Sequence, residues 1–99
     1  MLRHVVMWEF KATQEKTKEE CVDIAKQGLE ALAEKIPALK SIRFIKNEVA
    51  CDRNLDAMLI VETQNKEALE EYKLHPEHKK VAAFIKECTE NRGAVDYHF

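Results

Sequence analysis

The 99-residue sequence predicts an α+β domain of order βαββαβ, with one four-stranded antiparallel sheet and helices on one face. Two periodicities and one absence predict it. Four segments alternate apolar and polar residues with period two, as half-buried strands do. Between them lie segments with apolar residues at helical spacing and charges opposite. Only two glycines and two prolines are present, so there is no linker at which to divide the chain. A single domain over residues 1–99 follows, in the split-βαβ or ferredoxin-like arrangement.

The first strand sets Leu2, His4, Val6, Trp8 and Phe10 against Arg3, Val5, Met7, Glu9 and Lys11. Val5 and Met7 make its second face partly apolar, so both faces call for cover. Thr17-Lys18-Glu19-Glu20 has the form of a capping box. Cys21, Ile24, Ala25, Gly28, Leu29, Leu32 and Ile36 then mark a helix that Pro37 closes. Gly28 lies on that apolar stripe, where glycine costs about 1 kcal/mol against alanine. Close approach of helix to sheet, or space left for a ligand, would each explain it. Ser41 to Val49 reads as the second strand, Cys51-Asp52-Arg53-Asn54 as a polar turn, and Asp56 to Thr63 as the third strand. Asn65 caps a helix carrying Ala68, Leu69 and Tyr72. His75-Pro76 breaks it, and Pro76 opens a new helix with His78, Val81, Ala82, Ile85 and Cys88 on its stripe. Gly93 is expected at the end of that helix. Ala94 to Phe99 is the last strand. The sheet face away from the helices is expected to be lined by Val5, Met7, Ile45, Met58 and Ile60. A bare apolar face of that kind signals an interface, and two such faces packed together give a C2 homodimer with a continuous core.

Composition narrows the partners. Hydrophobic residues make up 45% of the chain, which excludes intrinsic disorder. The net charge of −2 offers no basic excess, so neither nucleic acid nor a membrane surface is expected as a partner. The longest apolar runs are far short of the roughly 20 residues that span a bilayer. The N-terminal residues lack a signal-peptide core. Cys21, Cys51 and Cys88 are odd in number and show no Cys-x-x-Cys spacing, which argues against a disulfide framework or a zinc knuckle. The expected location is the cytoplasm.

Tyr72-Lys73-Leu74-His75-Pro76-Glu77-His78 is the densest chemical stretch. A histidine titrates near neutral pH and a tyrosine can hold or donate a proton, so Tyr72 and His78 form a workable acid–base pair. His4 projects from the helix-facing side of the first strand. His4, Tyr72 and His78 are therefore the candidate catalytic residues, converging between sheet and helices. The structural alternative is that the histidines cap backbone groups and Tyr72 is core with its hydroxyl at the edge. No metal is expected, because Pro76 separates His75 from His78 and no Cys or Asp sits at ligand spacing. Cys21 and Cys88 lie on apolar stripes and read as inert core thiols.

His4-Val5-Val6, Ile36-Pro37-Ala38-Leu39, Val95-Asp96-Tyr97 and above all Tyr72-x-x-His75-Pro76-x-His78 resemble the stress-responsive A/B barrel (Dabb) domain. The resemblance covers essentially the whole chain. It implies the same α+β unit, assembled as a homodimer whose two sheets close into a β-barrel. Most members have no assigned reaction. One plant member is a polyketide cyclase that needs no metal or organic cofactor. By that resemblance His78 would remove a proton next to a carbonyl, Tyr72 would orient the substrate oxygen, and His4 would match the first-strand histidine. This chain has Gly28-Leu29 near a pocket tyrosine of the cyclase, and Trp8 where a smaller aliphatic residue is expected. Trp8, Leu29 and His75 are the candidate ligand-binding residues.

The reading is a small homodimer that binds a hydrophobic or aromatic molecule, or acts as a stress-associated accessory protein, with no turnover and no cofactor. The alternative is a cofactor-independent enzyme acting α to a carbonyl, a cyclase-like lyase or an aromatic monooxygenase, using His78 and Tyr72. A cavity of about 300 Å³ or more beside His78 separates both from a purely structural dimer.

Overall fold

The computed structural model describes all 99 residues. The elements run β1 (Leu2–Phe10), α1 (Lys18–Glu30), a 3-10 turn (Ala31–Glu34), β2 (Leu39–Lys46), β3 (Ala57–Thr63), α2 (Lys66–Leu74), α3 (Pro76–Glu87) and β4 (Thr89–His98). The strands form one antiparallel sheet in the order β2-β3-β1-β4. This is the predicted ferredoxin-like βαββαβ unit, with its second helix broken in two.

Local chemistry explains most element ends. The Thr17 hydroxyl accepts from the Glu20 N–H at 3.1 Å, and the Glu20 carboxylate accepts from the Thr17 N–H at 2.9 Å. Both halves of the capping box are thus made, satisfying two donors that a helix start leaves open. Asn65 Oδ1 accepts from the Ala68 N–H at 2.9 Å and starts α2. His75 ends α2 and caps α3, its Nδ1 accepting from the Glu77 N–H at 3.1 Å, and Pro76 sits in the first turn of α3.

Three elements differ from the sequence reading by two residues or more. The first helix is α-helical only to Glu30 and tightens before Ile36. β2 begins at Leu39 and ends at Lys46, where the Asn47 N–H donates to the Asp56 carbonyl at 2.9 Å and the chain turns. β4 starts five residues before Ala94, directly after α3, and Gly93 lies within it opposite Met7 rather than at a helix end. Pairing with β1 from Leu2↔His98 to Phe10↔Thr89 holds this polar stretch extended, although Glu90, Asn91 and Arg92 show no strand pattern of their own.

The core lies between the sheet and the helices. Leu2, Val6, Trp8 and Phe10 of β1 pack with Leu59 and Val61 of β3 and Phe44 of β2 against Cys21, Ala25 and Leu29 of α1, and Leu69 and Tyr72 of α2. Trp8 stacks on Phe44 and meets Phe10 edge-on. Gly28 is explained by neither expectation. A Cβ there would lie 3.2 and 3.3 Å from the two methyls of Val81, so the close approach is of α1 to α3, not to the sheet. On the far face, Val5 sits opposite Ile60 and Val95, and Met7 opposite Met58 and Gly93. No helix covers that face, and Met7, Val95 and Tyr97 are exposed.

Candidate functional site

A cavity of about 360 Å³ opens between β1, β3, α1, the α2–α3 break and the start of β4. Val6, Trp8, Leu29, Leu59, Ala82 and Ile85 form its apolar wall. His4, Tyr72 and His78 supply polar groups, and Lys86, Thr89 and Arg92 complete the lining. Of all these, only Lys86 and Arg92 are exposed, so they form the rim.

The helix break builds the Tyr72–His78 pair. Six residues apart on one continuous helix, the two side chains would lie on different faces. At His75 the backbone becomes extended (φ −64°, ψ 134°), and α3 starts in a new direction. The Tyr72 and His78 rings then lie 4.4 Å apart, centroid to centroid, at 51°. His78 Nδ1 donates to the Lys73 carbonyl at 3.0 Å. A carbonyl can only accept, so the bond puts the proton on Nδ1 and leaves Nε2 as the acceptor in neutral imidazole. The same bond satisfies a carbonyl that the end of α2 leaves open.

Titration follows burial. Desolvation pulls the His78 pKa below 6.5, outweighing the Lys73 carbonyl, and nearby His4, Lys73 and His75 pull the same way. His78 is thereby kept neutral at physiological pH. Burial raises the Tyr72 hydroxyl well above its ordinary value of 10, with Arg92 as a partial counterweight. Tyr72 therefore stays protonated and can donate. A neutral imidazole and a protonated phenol side by side can accept a proton at one atom and polarise an oxygen with the other.

His4 is buried on the covered face, and its Nδ1 donates to Asp96 Oδ1 at 2.5 Å. Asp96 lies opposite His4 in the β1–β4 register. Thus His4, Tyr72, His78, Trp8 and Leu29 all reach the cavity, whereas His75 is turned away as the cap of α3. Sequence reading missed the roles of Asp96, Lys86 and Arg92. The register offers a signal for Asp96, since a strand pairing along its whole length sets 96 against 4. None marks Arg92, whose neighbours read as loop. No group of three His, Cys, Asp or Glu residues lies close enough to hold a metal ion. No helix is long and apolar enough to cross a membrane.

The profile of the stress responsive A/B barrel domain matches residues 2–99. None of the curated proteins matches the sequence. Among solved structures, a dimeric protein of unknown function and ferredoxin-like fold from Bacteroides fragilis is 27% identical, with TM-score 0.85 over 99% of this chain and 95% of that one. A dimeric ferredoxin-like protein of unknown function from Thermobifida fusca is 22% identical, with TM-score 0.84 over 99% and 90%. A Nitrosomonas europaea protein, provisionally assigned as an antibiotic biosynthesis monooxygenase, is 13% identical, with TM-score 0.75 over 100% and 98%. The last two likenesses are of fold alone.

Proposed function

The chain belongs to the stress responsive A/B barrel domain family, and from that premise we propose a homodimer that binds a small apolar or aromatic molecule in the cavity beside His78. The observation that carries this reading is the cavity itself. At about 360 Å³ it falls within the range of small-molecule sites, with a mostly apolar wall and a few convergent polar groups. A purely structural dimer has no use for such a space, since well-packed interiors leave few voids larger than a water molecule. The dimer is supported by the apolar stripe on the uncovered sheet face and by relatives described as dimeric.

Trp8 is the only tryptophan and lines the cavity, so its fluorescence reports occupancy. Aromatic ring compounds should quench it saturably, and Ala82→Phe, which fills the cavity from α3, should abolish the quench. A library with no saturable ligand, or one whose quench survives Ala82→Phe, rejects the reading.

A second reading, proton removal α to a carbonyl, is favoured by the neutral His78 beside the protonated Tyr72. His78 Nε2 would take the proton and the Tyr72 hydroxyl would hold the carbonyl oxygen. The apolar wall would exclude water and orient the ring. Exchange of α-protons for deuterium in a bound ketone, lost in His78→Gln with binding retained, distinguishes turnover from binding alone.

A further inference from the structure

We infer that the cavity takes an organic anion, an apolar or aromatic body carrying a carboxylate, with the carboxylate held at the rim by Arg92 and Lys86. This rests on the binding reading above and adds the charge class and orientation of the ligand.

The argument starts from charge placement. Acidic residues outnumber Lys and Arg by 18 to 16 over the whole chain, yet none of the twelve lining residues is acidic. The two cations among them are also the two exposed ones. The cavity is thus apolar in depth and positive at its entrance, which is the polarity of an amphiphilic acid inserted tail first.

Both cations are also unengaged. Neither makes an ion pair, and neither side chain makes a hydrogen bond. Arg3, on the opposite face of the sheet, shows what a neutralised arginine looks like here. Its Nε and Nη2 donate to Glu62 at 2.8 and 2.6 Å, its Nη1 donates to the Tyr97 hydroxyl, and it lies over the Phe99 ring. The carboxylate on the cavity side of β4, Asp96, is occupied by His4. Arg92 pairs in register with Trp8, which sets its backbone beside the indole. It is also close enough to the Tyr72 hydroxyl for its charge to be felt there. A ring lying along Trp8 would bring a carboxylate to the guanidinium. The planar fork of arginine matches a carboxylate with two parallel hydrogen bonds, and Lys86 adds a point charge. Because both cations are exposed, solvent and salt screen this attraction.

The test is calorimetric titration of the wild-type protein with cinnamate, naphthoate and indole acetate, each beside its neutral amide. The acids should bind about tenfold or more tightly than their amides. Added salt should weaken the acids alone. Arg92→Gln should lower the acid-to-amide ratio several-fold, weakening the acids far more than the amides. Arg92→Lys should give an intermediate ratio, and Lys86→Gln a smaller loss than Arg92→Gln. Equal binding of acids and amides by the wild type would overturn the charge assignment and leave the cavity reading standing. A ratio that survives in the Arg92→Gln, Lys86→Gln double variant would also overturn it. Binding of no acid and no amide would overturn both readings.

Discussion

The two faces of β1 both carry apolar residues and meet opposite fates. On one, Leu2, Val6, Trp8 and Phe10 are each at most 6% exposed, sealed by α1, α2 and α3. On the other, Val5 is half-buried and Met7 is 41% exposed, with no element of the chain above them. The contrast is one of cover as well as of composition, since Arg3 and Glu9 share the second face with Val5 and Met7. The helical segments link strands that are not sheet neighbours and fall on the same side. None of the helices lies over the second side. The same division separates the two roles of the sheet. The covered face builds the core and the cavity, while the open face has no cover from its own chain.

The largest expected effect strikes the open face. Val5→Asp places a carboxylate opposite Ile60 and Val95, and a dimer would bury it twice near its centre. Sizing at micromolar concentration should shift from twice 11.5 kDa to 11.5 kDa, with the far-UV signal of the fold retained. If the variant stays dimeric, the open face is not the interface and the comparison fails.

A smaller, opposite outcome is expected on the covered side. Leu32→Ala empties a fully buried site away from the cavity lining. It should lower stability in denaturant titration by about 2–5 kcal/mol, with assembly preserved once folded. A loss well under 1 kcal/mol would mean that the helices pack loosely, and that the cavity is one gap among many.

The smallest effect sharpens the cavity itself. The His78 pKa is lowered in the folded protein, so between that value and 6.5 the unfolded chain binds more protons. Stability from this group is therefore complete above pH 6.5 and is lost as the pH falls from there through the depressed folded value. His78→Gln should remove that part of the slope, seen as the difference between the two stability–pH curves. Parallel curves would show that His78 is not held neutral by burial, and would remove the acid–base reading of the pair.

Much of this architecture was legible in the residues because it is decided locally. Side-chain direction alternates along a strand and repeats every 3.6 residues along a helix, whatever surrounds it. Thr17, Glu20, Asn65, His75 and Pro76 act on backbone groups a few residues away, so their roles could be read in place. The boundaries that moved are those set by distant partners. β4 is extended from Thr89 because β1 lies beside it, and Gly28 is small because Val81 of α3 presses on α1.

The site divides in the same way. The sequence by itself determined that His4 faces the helices and that His75-Pro76 breaks the second helix between Tyr72 and His78. Only the tertiary structure decided what those residues meet. Asp96 reaches His4 from 92 positions away through strand register. Arg92 and Lys86 come to one rim because β4 turns back beside the end of α3. Contacts of that separation depend on the angle between packed elements, and local propensity carries no record of that angle.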